Sequence, residues 1–130
     1  MKFKYTHYGR DILRPVIPIE VVGREAVPYE VLVDSGADIS IFDAEIGDLT
    51  GIDVETGQSS TLVGATGIEE VFYLHKVLLV VGDCKFHTTV GFLPNMTRNG
   101  YGVVGQRGFF DKFIVKFDLA KEEIELKQRT

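Results

Sequence analysis

The chain has 130 residues, 45% of them hydrophobic and 25% charged, ordinary for a single core, and a chain of this length buries roughly two thirds of its unfolded surface without disulfides or a structural metal. With 19 acidic side chains against 14 basic ones, the formal net charge of -5 has the wrong sign for a nucleic-acid surface. The lone Cys84 can form no internal bridge and suits a reducing compartment, the N-terminal MKFKYTHYGRDILRP lacks the apolar core of a secretory signal, and no run approaches the roughly 20 apolar residues of a membrane span. The expectation is a soluble, cytoplasmic protein with neither nucleic-acid nor membrane partners.

Along the chain, Arg14 to Val22 (RPVIPIEVV) and Val27 to Val33 (VPYEVLV) read as a β-hairpin turning at Gly23-Arg-Glu-Ala. Pro15, Pro18 and Pro28 cannot donate to a ladder, so these strands must carry them at an edge or an unpaired position. The second strand runs into Asp34-Ser35-Gly36-Ala37-Asp38. Ser40 then looks like the N-cap of a short helix with acids in its first turn and glycines at 47 and 51. Two strand-like runs between Thr56 and Tyr73 meet at a small-residue tip, Gly64-Ala65-Thr66-Gly67. A second long hairpin, Val71 to Val81 and Cys84 to Leu93, turns at Gly82-Asp83. The last strands fall at Ile114 to Phe117 and Ile124 to Leu126, joined by a polar turn near Ala120-Lys121. Nothing in the composition divides the chain.

Several motifs carry less than their patterns promise. Gly100-Tyr-Gly-Val-Val-Gly satisfies the dinucleotide-binding G-x-G-x-x-G, yet no strand precedes it and Gly108 interrupts the helix it would open. Cys84 and His87 have a metal-like spacing but no second pair to complete four ligands, so alternating strand positions explain them. The acids from Asp43 to Glu55 lack the order of a calcium loop. What stands out is the apolar strand ending on Asp34. Burying a carboxylate costs its hydration unless something repays it, whereas an Asx-type turn, in which Asp34 accepts backbone hydrogens, explains the same residues structurally.

Val33-Asp34-Ser35-Gly36-Ala37-Asp38-Ile39-Ser40-Ile41 resembles the active-site segment of the retroviral-type aspartic proteases, the retropepsins: an apolar residue, Asp, Thr or Ser, Gly, Ala, then an acid and apolar residues. Val103-Val104-Gly105-Gln106-Arg107-Gly108-Phe109-Phe110 is similar to that family's second feature, two apolar residues and a Gly leading into a short helix. Gly64, Ala65, Thr66 and Gly67 resemble the tip of its flap. The three occur in family order between about Arg14 and Phe117.

The resemblance implies an all-β, closed barrel-like acid-protease fold with one or two short helices, occupying residues 1–130 as one domain with residues 1–13 as an N-terminal extension. It implies an aspartic endopeptidase without metal or cofactor. Because the chain has one Asp-Ser-Gly and the chemistry needs two carboxylates, it also implies a homodimer with Asp34 from each subunit, acting on peptide or protein bound as an extended strand. Asp34 would be catalytic, with Ser35, Gly36, Ala37 and Asp38 supporting it, and Val104, Gly105 and Arg107 supporting it from the second motif. The family's viral members often place Arg directly after that Gly, where it braces an acid equivalent to Asp38; here Gln106 stands there and Arg107 follows. A non-catalytic dimerisation or peptide-binding module of the same fold is the alternative, and a small β-domain in which Asp-Ser-Gly-Ala is only a turn is a third.

Overall fold

The computed structural model describes residues 1–64, 66–96 and 100–129. Its first long hairpin pairs β4 (Val16–Val22) with β5 (Ala26–Val33), preceded by short strands β1 (Lys2–Lys4), β2 (Thr6–His7) and β3 (Leu13–Arg14). The Val33 N–H bonds the Pro15 carbonyl at 2.9 Å, which sets the phase of the β4–β5 ladder. Antiparallel pairs alternate between bonded and unbonded, so Pro18 and Pro28 fall where no N–H is needed. Both are exposed, while Ile17, Ile19, Val21 and Val31 of the same hairpin are buried.

The chain then forms β6 (Ile41–Asp43) and a short helix α1 (Ala44–Leu49). The helix is capped by Asp43, whose side chain accepts from the Glu45 N–H at 3.0 Å, and not by Ser40 as the sequence pattern predicts. Ile41 to Asp43 are drawn into a sheet between two other strands, which delays the helix by one turn and releases Ser40 for another use.

β7 (Gln58–Val63) and β8 (Glu69–Val81) form the hairpin with the small-residue tip, and β8 continues into the hairpin with β9 (Cys84–Leu93). Within β9, Cys84 and His87 have opposite parity and lie on opposite faces, as alternation requires. β10 (Gly102–Val104) inserts between β5, to which it runs parallel, and β6, to which it runs antiparallel. Gly100, Gly102 and Gly105 thus bracket a strand; the dinucleotide-like pattern opens no helix. The sheet order β4-β5-β10-β6-β9-β8 is closed by pairing of Glu20–Val22 on β4 with Leu78–Val80 on β8, giving a ring from which β7 projects. Phe42, Phe92, Leu79, Val90 and Val104 fill it.

After Gly105 the expected short helix is absent. Phe110 and Asp111 donate to carbonyls five residues back, at Gly105 and Gln106, so the segment is a run of wide turns. Gly108, with φ of +97°, ends any helical course just where it would begin. β11 (Phe113–Asp118) and β12 (Glu123–Gln128) follow as a hairpin, with β1 on the far side of β12. Within the first residues, β1 places Phe3 against the core beside Ile124. Among the described residues, no helix is long and apolar enough to cross a membrane.

Candidate active site

Asp34 follows the last residue of β5, where the parallel register Val31 to Gly102, Leu32 to Val103 and Val33 to Val104 carries it beside β10. Its N–H donates to the Val104 carbonyl at 3.0 Å, extending the ladder by one bond. Its carboxylate oxygen Oδ1 accepts the Gly36 N–H at 2.9 Å, and the Ala37 N–H closes the turn on the Asp34 carbonyl at 3.2 Å. The Asx-type geometry is thus present. It occupies one carboxylate oxygen; among the described residues no other hydrogen bond reaches the carboxylate, which is half-buried in the single chain. Ser35 and Gly36 are exposed beside it.

The second motif clamps this loop. The Gln106 N–H bonds the Ala37 carbonyl at 2.8 Å and the Arg107 N–H bonds the Asp38 carbonyl at 3.0 Å. Ser40 is buried at the crossing, its Oγ accepting the Gly105 N–H at 3.1 Å and donating to the Arg107 carbonyl at 3.4 Å. The Gln106 amide Nε2 donates to the Ser35 carbonyl at 2.8 Å. Gly105 is required by space: a Cβ there would sit 2.5 Å from the Ala37 carbonyl oxygen and 2.6 Å from that of Ile39. A side chain of any kind would push the two segments apart.

The side-chain brace does not lie on Arg107. Arg107 and Asp38, both exposed, form no ion pair among the described residues and are joined through their backbones. The side-chain brace comes from Gln106, directly after Gly105, because that position faces the Asp34 loop. Sequence reasoning missed Gln106 and Ser40 as parts of the site. A polar residue after a motif glycine and a serine inside an apolar run were the available signals, but only the chain crossing gives them meaning.

Gly64, Thr66 and Gly67 lie at the tip of the β7–β8 hairpin, and Ala65 falls outside the described residues. Gly64 bonds Ile68 and accepts from Gly67, whose φ is +79°. Between this hairpin and the Asp34 loop runs an open groove of about 520 Å³. Ile41, Leu62 and Phe72 make it apolar, and Asp38 and Arg107 put one charge of each sign at its rim. Of the expected site residues, the structure brings Asp34 through Asp38 together with Val104, Gly105 and Arg107; the groove beside them is lined by Ser60 to Val63 of β7 and not by the described tip residues Gly64, Thr66 and Gly67.

A ring-like sheet with a strand-terminal Asp-Ser-Gly clamped from a second, parallel strand defines the class: the chain has the fold of the retropepsin-like aspartic proteases. A retropepsin-like aspartic protease from Rickettsia conorii is similar over 95% of this chain and 97% of its own, with a TM-score of 0.63 and 19% identity. The EIAV protease complexed with the inhibitor HBY-793 is similar over 78% of this chain and 88% of its own, with a TM-score of 0.50 and 18% identity. No protein-family model and no curated protein matches the sequence. Identities this low establish the fold, and the chemistry has to be argued from the residues.

Proposed function

We propose that the chain is an aspartic endopeptidase acting as a homodimer, with Asp34 of each subunit facing one water. The observation that carries this reading is a half-buried carboxylate with one oxygen held by Gly36 and, among the described residues, no bond to the other, on a loop fixed to its neighbour strand. One such group is half of an acid–base pair. Two carboxylates at contact distance cannot both ionise cheaply, so the pair shares a proton. The ionised member takes a proton from water as its oxygen attacks the scissile carbonyl carbon, and the protonated member donates to the carbonyl oxygen. Proton transfer to the amide nitrogen then lets the C–N bond break, giving a carboxylic acid and an amine, with the dyad returned to one shared proton.

The neighbours take matching roles. Ser35 is free to bond backbone across the two-fold axis, and Gly36 keeps the turn close to the carboxylate without crowding it, since a Cβ there would meet the Asp34 Oδ1 at 3.2 Å. The β7–β8 hairpin acts as a flap over substrate lying as an extended strand, with side chains entering the groove of Ile41, Leu62 and Phe72. No metal or cofactor enters the reaction. The lone Cys84, with no partner for an internal bridge, fits a reducing, cytoplasmic setting.

The test is cleavage of an unfolded-protein mixture from about pH 3 to 7.5 by the wild type and Asp34→Asn. Asparagine keeps the oxygen that accepts from Gly36 and loses the acid–base function, so cleavage should vanish while the thermal melt and the dimer persist. Acid-side cleavage lost in the variant supports the dyad. Cleavage that survives the substitution, or none from a folded dimer, overturns it, and the latter leaves a peptide-binding module of the same fold.

A further inference from the structure

The β7–β8 hairpin stands on two unequal legs. At its foot Gln58 of β7 pairs with Leu74 of β8, while from Tyr73 onward β8 is also paired with β9 inside the ring, so this leg is one continuous strand. The other leg enters from a single 3₁₀ turn, Val54–Thr56, through Gly57. Val54 is buried in the core, whereas β7 has only β8 beside it among the described strands and is exposed at every residue except the half-buried Leu62. We infer that His75 pins this entry and is a positioning residue for peptide binding, holding the hairpin at the angle that sets Leu62 over the groove. The inference rests on the endopeptidase reading above, in which the hairpin closes on substrate.

His75 lies on β8 next to the foot, opposite Val90 of β9. Its Nε2 stands 2.7 Å from the Val54 carbonyl oxygen. A carbonyl only accepts, so Nε2 carries the hydrogen and the ring donates. Among the described residues, this is the only side-chain hydrogen bond that ties residues 54–63 to another strand or helix. The ring packs on the buried Phe92 with centroids 5.9 Å apart, so the donor is backed by the core. Gly57 completes the fit: a Cβ there would lie 2.6 Å from the same Nε2 and 2.4 Å from the Leu74 carbonyl oxygen. The entry strand can lie this close to His75 only because that position has no side chain.

The pin acts with leverage. Leu62 is five residues beyond Gly57, about 17 Å along the strand, so a rotation of about 10° at the foot displaces it by roughly 3 Å. Leu62 lines the groove that runs past Phe72 to Asp38. A loosened foot divides the hairpin between positions that close the groove and positions that do not, and substrate binds more weakly in proportion to the closed fraction lost. Bound substrate holds the hairpin down, so the chemical step at Asp34 keeps its rate.

The test compares His75→Leu with His75→Gln. Both lose the ring against Phe92, and only glutamine keeps an amide donor in reach of the Val54 carbonyl. Neither leaves that oxygen unpaired, because the Gly57 N–H bonds it at 3.2 Å, so both variants should fold. Hydrogen exchange of the full chain reads the foot directly. Steady-state kinetics on a synthetic peptide spanning a site cleaved in the unfolded-protein mixture read its effect on binding. In His75→Leu, exchange across residues 55–60 should quicken about 5-fold, the worth of one net hydrogen bond, and KM should rise about 3- to 5-fold with kcat within about 2-fold of wild type. His75→Gln should return both to within about 2-fold of wild type. Unchanged exchange in His75→Leu, a glutamine variant no better than the leucine one, or a fall in kcat with KM unchanged overturns the inference. If the wild type cleaves no peptide, the endopeptidase reading fails on its own, and the exchange comparison still supports or overturns the pin.

Discussion

Gly105→Ala offers a direct measure of how tightly the Asp34 loop is clamped. The new Cβ would lie 2.5 and 2.6 Å from the Ala37 and Ile39 carbonyl oxygens, against an ordinary carbon–oxygen contact of about 3.3 Å. Both carbonyls must yield by about 0.7 Å, and both belong to backbone. Ala37 cannot retreat without stretching its bond from the Gln106 N–H, and Gly105 itself donates to Ser40. Overpacking of this kind costs about 2–3 kcal/mol and a lost hydrogen bond about 1, against roughly 0.5 returned by stiffening the unfolded chain. A net loss of about 3 kcal/mol should lower the midpoint of thermal unfolding by roughly 12 °C in a domain of this size. Gly64→Ala is the control, since nothing lies within 4 Å of its added Cβ and its φ is not positive. Scanning calorimetry and urea unfolding check the figure. A Gly105→Ala melt within about 2 °C of wild type would mean that the two segments are not in contact as described.

Ser40→Ala should cost about 1–3 kcal/mol in urea unfolding, because it strips the buried Gly105 N–H of its acceptor. Gln106→Ala loses an exposed bond to the Ser35 carbonyl and should lower peptide turnover far more than the melt, with a melt-only effect counting against its bracing role. Gly67→Val puts a branched side chain at φ +79° and should slow turnover through the hairpin tip, whereas Gly64→Val should be milder; equal rates would argue that the tip does not bend during the reaction. Burial pushes the Tyr29 hydroxyl up to about 12 from its ordinary 10. A raised folded value contributes stability below the unfolded value and loses it as pH rises through the folded one, so up to roughly 3 kcal/mol should disappear between pH 10 and 12. Tyr29→Phe should flatten that part of the stability curve, as measured by urea unfolding.

Much of the fold was legible because its signals are local. Alternating β-branched residues, turn glycines and prolines located both long hairpins, and the ladder phase places Pro18 and Pro28 where their missing N–H groups do no harm. What was not legible is long-range. Nothing near Gly102 announces a parallel pairing with Val31, and without it Ser40 reads as a helix cap and Gln106 as a departure from a motif. The Asp34 segment could be singled out from its chemistry and its resemblance to a family. Its clamp could not, because the contacts join stretches of chain that are distant in sequence and polar in ways common to any turn.

The insertion of β10 between β5 and β6 also fixes when the site can come into being. Val31 must wait for Gly102, roughly seventy residues later, before their pairing can repay the entropy of closing so long a loop. As the chain is synthesised from its N-terminus, Asp34 emerges early and spends most of that time on a loop with neither Val104 to extend its strand nor Gly105 and Gln106 to hold its turn. The reactive geometry is therefore a late product of folding, and a nascent or truncated chain carries the motif without the site.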